Sequence, residues 1–177
     1  MSEWFEINGF HSTTQKNAEK IKNNGFLPSE KNNEWLGKGV YFWCQYNDAL
    51  FWVSNSHKKV NEMCIISVDI LEKNEYVLDL DIYDNMKKLE EFVINFNHEN
   101  YEKGQTFDFN SAEQLRCFYC EMYKIYYKVN IISYSFTIKG NNCCGFPQTR
   151  RQFCVSNTDC ITITNYESIK KDDIDVI

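Results

Sequence analysis

Three separated segments of the chain carry side chains suited to holding a sugar hydroxyl beside a flat ring. The first is Phe10-His11-Ser12-Thr13, at a strand end just before a helix. The second is Gly37-Lys38-Gly39-Val40-Tyr41-Phe42-Trp43, with Trp52 eleven residues beyond Tyr41. The third is Arg151-Gln152-Phe153-Cys154-Val155, a late strand that follows the turn-rich stretch 140–149. Histidine both donates and accepts hydrogen bonds, which suits a ribose hydroxyl, and backbone groups at the turn beside it can hold an amide. Glycines at 37 and 39 let the chain approach a ligand with no Cβ in the way. Tyr41 and Trp52 can enclose a heteroaromatic ring, and a desolvated cationic ring gains on the order of 1–2 kcal/mol of cation–π attraction there. Phe51 takes the place of Trp52 if the helix register shifts by one. Gln152 offers a donor and an acceptor to a second hydroxyl. The sum is a pocket for ribose and an aromatic ring.

Each of these residues also has a plainer reading. His11 can be a satisfied core histidine, Tyr41 and Trp52 core aromatics in a chain that is 16% aromatic, and Gln152 a strand residue. Arg150 and Arg151 read as solvated, or else as neighbours of a target-recognition loop or a pyrophosphate. His57 and His98 sit in polar, Lys/Asn-rich surroundings and read as surface.

Taken together, the three segments resemble the motifs of the ADP-ribosyltransferase superfamily, in the branch typified by diphtheria toxin and the poly(ADP-ribose) polymerases, with its H-Y-E signature. His11-Ser12-Thr13 looks like the His-Gly-Thr/Ser of the first strand, GKGVYFW like GxGxYFA, ALFW (49–52) like the helix that supplies a second stacking ring, and RQFCVSN like the strand that carries the Glu. The match spans roughly the first 55 residues and 129–165, and leaves 71–128 unmatched. The resemblance implies an α+β fold, an ADP-ribosyltransferase-like split antiparallel β-sandwich with flanking helices, over residues 1–177 as one domain. It implies NAD as substrate, with His11, Tyr41 and Gln152 catalytic and Ser12, Thr13, Gly37, Gly39, Phe51 and Trp52 binding. No metal is implied. The activity implied is mono-ADP-ribosyl transfer to a protein or nucleic-acid acceptor, as in a toxin or defence effector that an inhibitory partner could restrain.

Two departures bear on that activity. Ser12 stands where the family has Gly, although contacts to the nicotinamide amide through backbone groups survive the change. Gln152 stands where the family has Glu, which bonds the 2′-hydroxyl and stabilises an oxocarbenium ion. An amide makes the bond without the charge, at a cost of roughly 3–4 kcal/mol, or 10²–10³ in rate. The alternatives are a non-catalytic NAD or ADP-ribose binder, and an NAD glycohydrolase with water as acceptor. An RNA 2′-phosphotransferase would need clustered Arg/His phosphate ligands, and the chain has three Arg.

The elements that must position these residues read as mixed α and β, with helices on small antiparallel sheets. Strands are expected at Trp4–Thr13, GKGVYFW, 63–70, 76–80, 132–138, 152–155 and 161–164. In 63–70, Cys64, Ile66, Val68 and Ile70 point inward, alternating with Ile65, Ser67 and Asp69. Helices are expected at Asn17–Asn24, after a cap at Asn47, along Leu89–Phe96, and after a Ser111/Gln114 capping box with Leu115, Phe118, Tyr119, Met122 and Tyr126 on one face.

Composition sets the bounds. The chain has 177 residues, 43% of them hydrophobic and 25% charged, which suits one globular domain and excludes disordered or fibrous classes. A net charge of −6 argues against a general nucleic-acid coat protein. MSEWFEING lacks the pattern of a signal peptide and no apolar run approaches a membrane span, so a cytoplasmic protein without membrane contact is expected. Of eight cysteines, Cys117 and Cys120 form a CxxC, within a helical segment, and the remaining spacings match no zinc pattern. Reduced, buried thiols are expected.

Overall fold

The structure is a computed structural model and describes residues 3–55, 62–141 and 144–170. His57, Cys143 and the acidic tail after Lys170 lie outside the described residues. In chain order the elements are β1 (Trp4–Thr14), α1 (Gln15–Asn24), β2 (Val40–Trp43), α2 (Tyr46–Asn55), β3 (Glu62–Lys73), β4 (Val77–Asp79), α3 (Tyr83–Glu102), α4 (Ala112–Tyr127), β5 (Ile131–Asn141), β6 (Pro147–Val155) and β7 (Ile161–Lys170). The described strands form one seven-stranded sheet in the order β4-β5-β6-β2-β1-β3-β7. The fold is α+β, with four α-helices among the described residues.

The ends of the helices follow local chemistry. Thr14 caps α1 by accepting from the Asn17 amide at 3.2 Å, and Gly25, at φ 76°, ends it in a conformation that costs other residues a steric clash. Ser111 caps α4 through the Gln114 amide, and the Gln114 side chain reaches back to the amide of Asn110. Asn47 does not cap α2, since the helix already includes Tyr46.

Sheet alternation distributes the core to both faces. Val40, Phe42, Phe153 and Val155 pack with Ile66, Val68 and Ile70 beneath Ala18 and Phe26. Phe42 and Phe153 are register partners and fully buried, each stabilising the fold by about 1.5–3 kcal/mol. The opposite face meets α3 and α4 around Leu36, Ile132 and Cys154, and meets α2 through Trp43, Ala49 and Val53. No helix among the described residues is long and apolar enough to cross a membrane.

Several expectations need correction. The small antiparallel sheets are one sheet, and β4 joins it parallel to β5. β7, next to β6 in the chain, crosses to the far edge of the sheet and pairs with β3. Ile65 is buried rather than outward, since α2 covers that face of β3. On α4 the buried side is Cys117, Tyr119, Cys120, Tyr123 and Lys124, while Leu115 and Tyr126 are exposed. On this face Cys117 Sγ lies 3.6 Å from Lys31 O, and Cys120 lies beside Gly37 of the loop that precedes β2.

Candidate functional site

β1 pairs with β3 without interruption from Trp4↔Lys73 to Thr14↔Met63. Its other edge meets β2 at one register pair, Phe10↔Trp43. Beyond that pair the two strands part, and alternate backbone groups of residues 11–14 face the gap instead of a ladder partner. His11 spans the gap with its side chain, placing Nδ1 2.8 Å from the Tyr41 carbonyl oxygen. A carbonyl accepts only, so Nδ1 carries the hydrogen and Nε2 presents a lone pair. Phe26 packs edge-on to the ring at 5.3 Å and Phe42 lies tilted at 5.8 Å. Burial lowers the His11 pKa, partly offset by the bond to Tyr41, which keeps the ring neutral at pH 7. Nε2 has no partner among the described residues.

Where the strands part there is a cleft of about 640 Å³, within the range of small-molecule sites, roughly 300–1,000 Å³. His11, Ser12 and Thr13 reach it from β1, Gly39, Tyr41 and Trp43 from β2 and the loop before it, and Trp52 and Gln152 from α2 and β6. All three motif segments therefore meet at one opening. The Tyr41 hydroxyl donates to Gly37 O and accepts from the Leu36 amide, each at 2.7 Å, which fixes its ring as a wall. Burial pushes its pKa up. Trp52 is 45% exposed and leans on Trp43, with 5.7 Å between ring centroids. Gln152 lies between Trp43 on β2 and Tyr134 on β5, and its amide has no hydrogen-bond partner among the described residues. The Ser12 hydroxyl is spent elsewhere, donating to Ala49 O at 2.8 Å and tying α2 to β1.

Two of the predicted binding residues stay off the walls. Phe51 turns away from the cleft and stacks under the Arg150 guanidinium at 3.7 Å. Gly37 does not line the cleft either, whereas Gly39 does. A Cβ at Gly37, where φ is 87°, would strike Glu121 Oε1 and stand 2.9 Å from Lys124 Nζ. A Cβ at Gly39 would stand 2.6 Å from Cys154 Sγ and 2.8 Å from Val155 O. Both glycines serve close packing of the loop onto α4 and β6.

That packing rests on a buried polar cluster. The Lys124 side chain, 6% exposed, places Nζ 2.8 Å from Lys38 O, 2.9 Å from Glu121 Oε1 and 3.4 Å from Cys154 Sγ. Glu121 also accepts from the Lys38 amide at 2.7 Å. Burial opposes the Lys124 charge, yet Cys154 and Glu121 carry its pKa above the ordinary value, while burial raises that of the Cys154 thiol.

No family model matches the chain. An uncharacterized protein of Methanocaldococcus jannaschii is 27% identical, in an alignment covering 65% of this chain and 67% of that one.

The two late arginines are not solvated. Arg150 pairs with Asp48 at 2.8 Å, and Arg151 pairs with Asp79 at 2.8 Å while reaching Ser133 Oγ at 3.1 Å. The first joins β6 to α2 and the second joins it to β4. His98 lies exposed beside Glu102. Trp43 is the wall residue that the motif reading passed over, although the period-2 alternation of β2 places it on the same face as Tyr41. Asn17 and Lys20 of α1 also line the cleft, and no short motif signals them.

Proposed function

We propose that this chain is an NAD-dependent mono-ADP-ribosyltransferase with an ADP-ribosyltransferase-like fold, acting on a protein or nucleic-acid acceptor. The observation that carries the reading is the convergence of His11, Tyr41, Trp52 and Gln152 on one cleft from three distant segments. The near-splitting of the sheet between β1 and β2 supports it as well.

Residue chemistry fits the substrate. Tyr41 and Trp52 offer ring faces to the nicotinamide. Backbone groups beside Ser12 hold its carboxamide, through the edge of β1 that β2 leaves uncovered. His11 Nε2 accepts from a ribose hydroxyl, and Gln152 bonds a hydroxyl of the other ribose. The C1′–N bond then breaks and nicotinamide leaves with the bonding pair. The acceptor nucleophile forms the new bond to C1′ and gives up its proton. Near-attack positioning supplies much of the rate, since Gln152 brings a dipole rather than a charge to the developing cation.

The neutral Gln152 also favours a second reading, a binder of NAD or ADP-ribose that does not turn it over. One experiment separates them: incubation with NAD⁺ labelled in its adenylate phosphate, following nicotinamide release and transfer of label to lysate proteins and RNA. Release with transfer, lost in folded His11→Ala and Tyr41→Ala, supports the transferase. Release without transfer indicates hydrolysis, and tight binding without release indicates the binder. No binding and no release in any mixture overturns both readings.

A further inference from the structure

Arg150 stands two residues before Gln152 on β6, on the same face of the strand. Its Nη1 is 2.8 Å from Asp48 Oδ1, and both side chains are largely buried, 15% and 17% exposed. Its guanidinium carbon Cζ lies over the Phe51 ring, 3.7 Å from the centroid. Asp48 and Phe51 sit one and almost two turns into α2, on the side that turns to β6, and Trp52 is the next residue. One planar cation therefore grips the helix at two points immediately beside the tryptophan that forms a cleft wall. The other side of α2 is held by Ala49 and Val53 in the core and by the Ser12 hydroxyl. The helix is thus held from two sides, and Trp52 packs on Trp43 with 47° between the ring planes and lines the cleft together with Gln152.

We propose that Arg150 is the positioning residue for the Trp52 wall of the cleft. The geometric claim stands on contacts alone, while its consequence for nicotinamide rests on the transferase reading above. Arginine matters for geometry as well as charge, because its extended, forked guanidinium pairs with Asp48 while its Cζ lies over the Phe51 ring. Lysine retains the ion pair and loses the stack.

The test compares wild type with Arg150→Lys, Arg150→Ala and Phe51→Leu. The near-UV circular dichroism difference between wild type and Trp52→Phe defines the contribution of the Trp43–Trp52 pair without any ligand, far-UV dichroism and thermal melts read the fold, and NAD⁺ titration with single-turnover nicotinamide release reads the site. The expected result is that Arg150→Lys keeps most of the thermal stability but loses the tryptophan near-UV signature, and that Phe51→Leu does the same. NAD⁺ affinity should fall about tenfold in both, with a smaller change in the single-turnover rate. Phe51→Leu and Arg150→Lys keep the test decisive if Arg150→Ala fails to fold. Wild-type near-UV spectra in folded Arg150→Lys and Phe51→Leu overturn the proposal. An altered spectrum in a protein that never binds NAD⁺ supports the clasp and removes the transferase reading instead.

Discussion

The imidazole of His11 and the carbonyl of Tyr41 are joined by a 2.8 Å hydrogen bond where the ladder between β1 and β2 has ended. A side chain thus satisfies a backbone acceptor that the neighbouring strand would otherwise take. The same bond fixes the tautomer and leaves Nε2 with its lone pair on a residue that lines the cleft. Structure and site share one contact, and acid should reveal it. Burial holds the folded pKa of His11 below its ordinary 6.5. Between that lowered value and 6.5 the unfolded chain binds a proton that the folded chain refuses, so stability rises with pH across this window and is fully present above it. His11→Asn keeps an N–H donor for Tyr41 and removes the titration. Urea unfolding at about pH 7.5 and about pH 5.5 should show a loss in wild type that is smaller in His11→Asn. Equal losses in the two proteins would refute a neutral, part-buried His11.

Tyr41 separates its ring from its hydroxyl. The hydroxyl serves the fold through Gly37 O and the Leu36 amide, so Tyr41→Phe should cost about 1–3 kcal/mol of stability by leaving these groups unpaired. The ring remains, and NAD⁺ affinity should stay within a few fold. Tyr41→Ala should abolish measurable binding. Isothermal titration on the two variants, beside their urea midpoints, checks both halves.

Gly39→Ala places a methyl against Cys154 Sγ and Val155 O, an overpacking expected to cost about 1–3 kcal/mol. Truncating the thiol relieves only one of those contacts. The double variant Gly39→Ala/Cys154→Ala should therefore be less destabilised than the sum of its singles, a coupling that a double-mutant cycle measures by urea unfolding.

Much of the element order was readable because the signals were local. The caps at Ser111 and Gly25 and the alternation along β5 needed no partner to be recognised. Pairing was harder: nothing local in ITIT reveals that β7 leaves β6 and joins β3. The site divides in the same way. Tyr41 and Gln152 were marked by type and spacing, and they do line one cleft. Gly37 and Gly39 carry two signals at once, because a close approach to α4 and β6 leaves the same mark on a sequence as a close approach to a ligand. Arg150 was misread because its partners lie about a hundred residues upstream in α2.

Lys124 and Glu121 form an ion pair largely removed from water beneath the loop that carries Gly37 to Gly39. Lys124→Met leaves Glu121 and the Lys38 carbonyl without their cation, and breaking such a buried pair costs about 3–5 kcal/mol. Removing the carboxylate charge as well, in Lys124→Met/Glu121→Gln, should recover part of that loss, since no unpaired buried charge remains. Differential scanning calorimetry of the single and double variants reads the difference. A single variant as stable as wild type would mean that the cluster is better hydrated than its burial indicates.

Gln152→Glu carries the sharpest consequence for activity. The Gln152 amide lines the cleft and bonds to no described residue, so a carboxylate of the same reach enters without displacing an existing partner. If that position faces the ribose from which nicotinamide departs, a full negative charge stabilises the developing cation better than an amide dipole. Gains of about 10²–10³ in the bond-breaking step are the scale for one such electrostatic contact. Single-turnover nicotinamide release should rise by that order, while NAD⁺ affinity, which the transferase reading assigns to Tyr41 and Trp52, should change little. The rise should also vanish when His11→Ala is added. A folded Gln152→Glu protein that binds NAD⁺ like wild type but releases no more nicotinamide would place side chain 152 away from the reacting sugar.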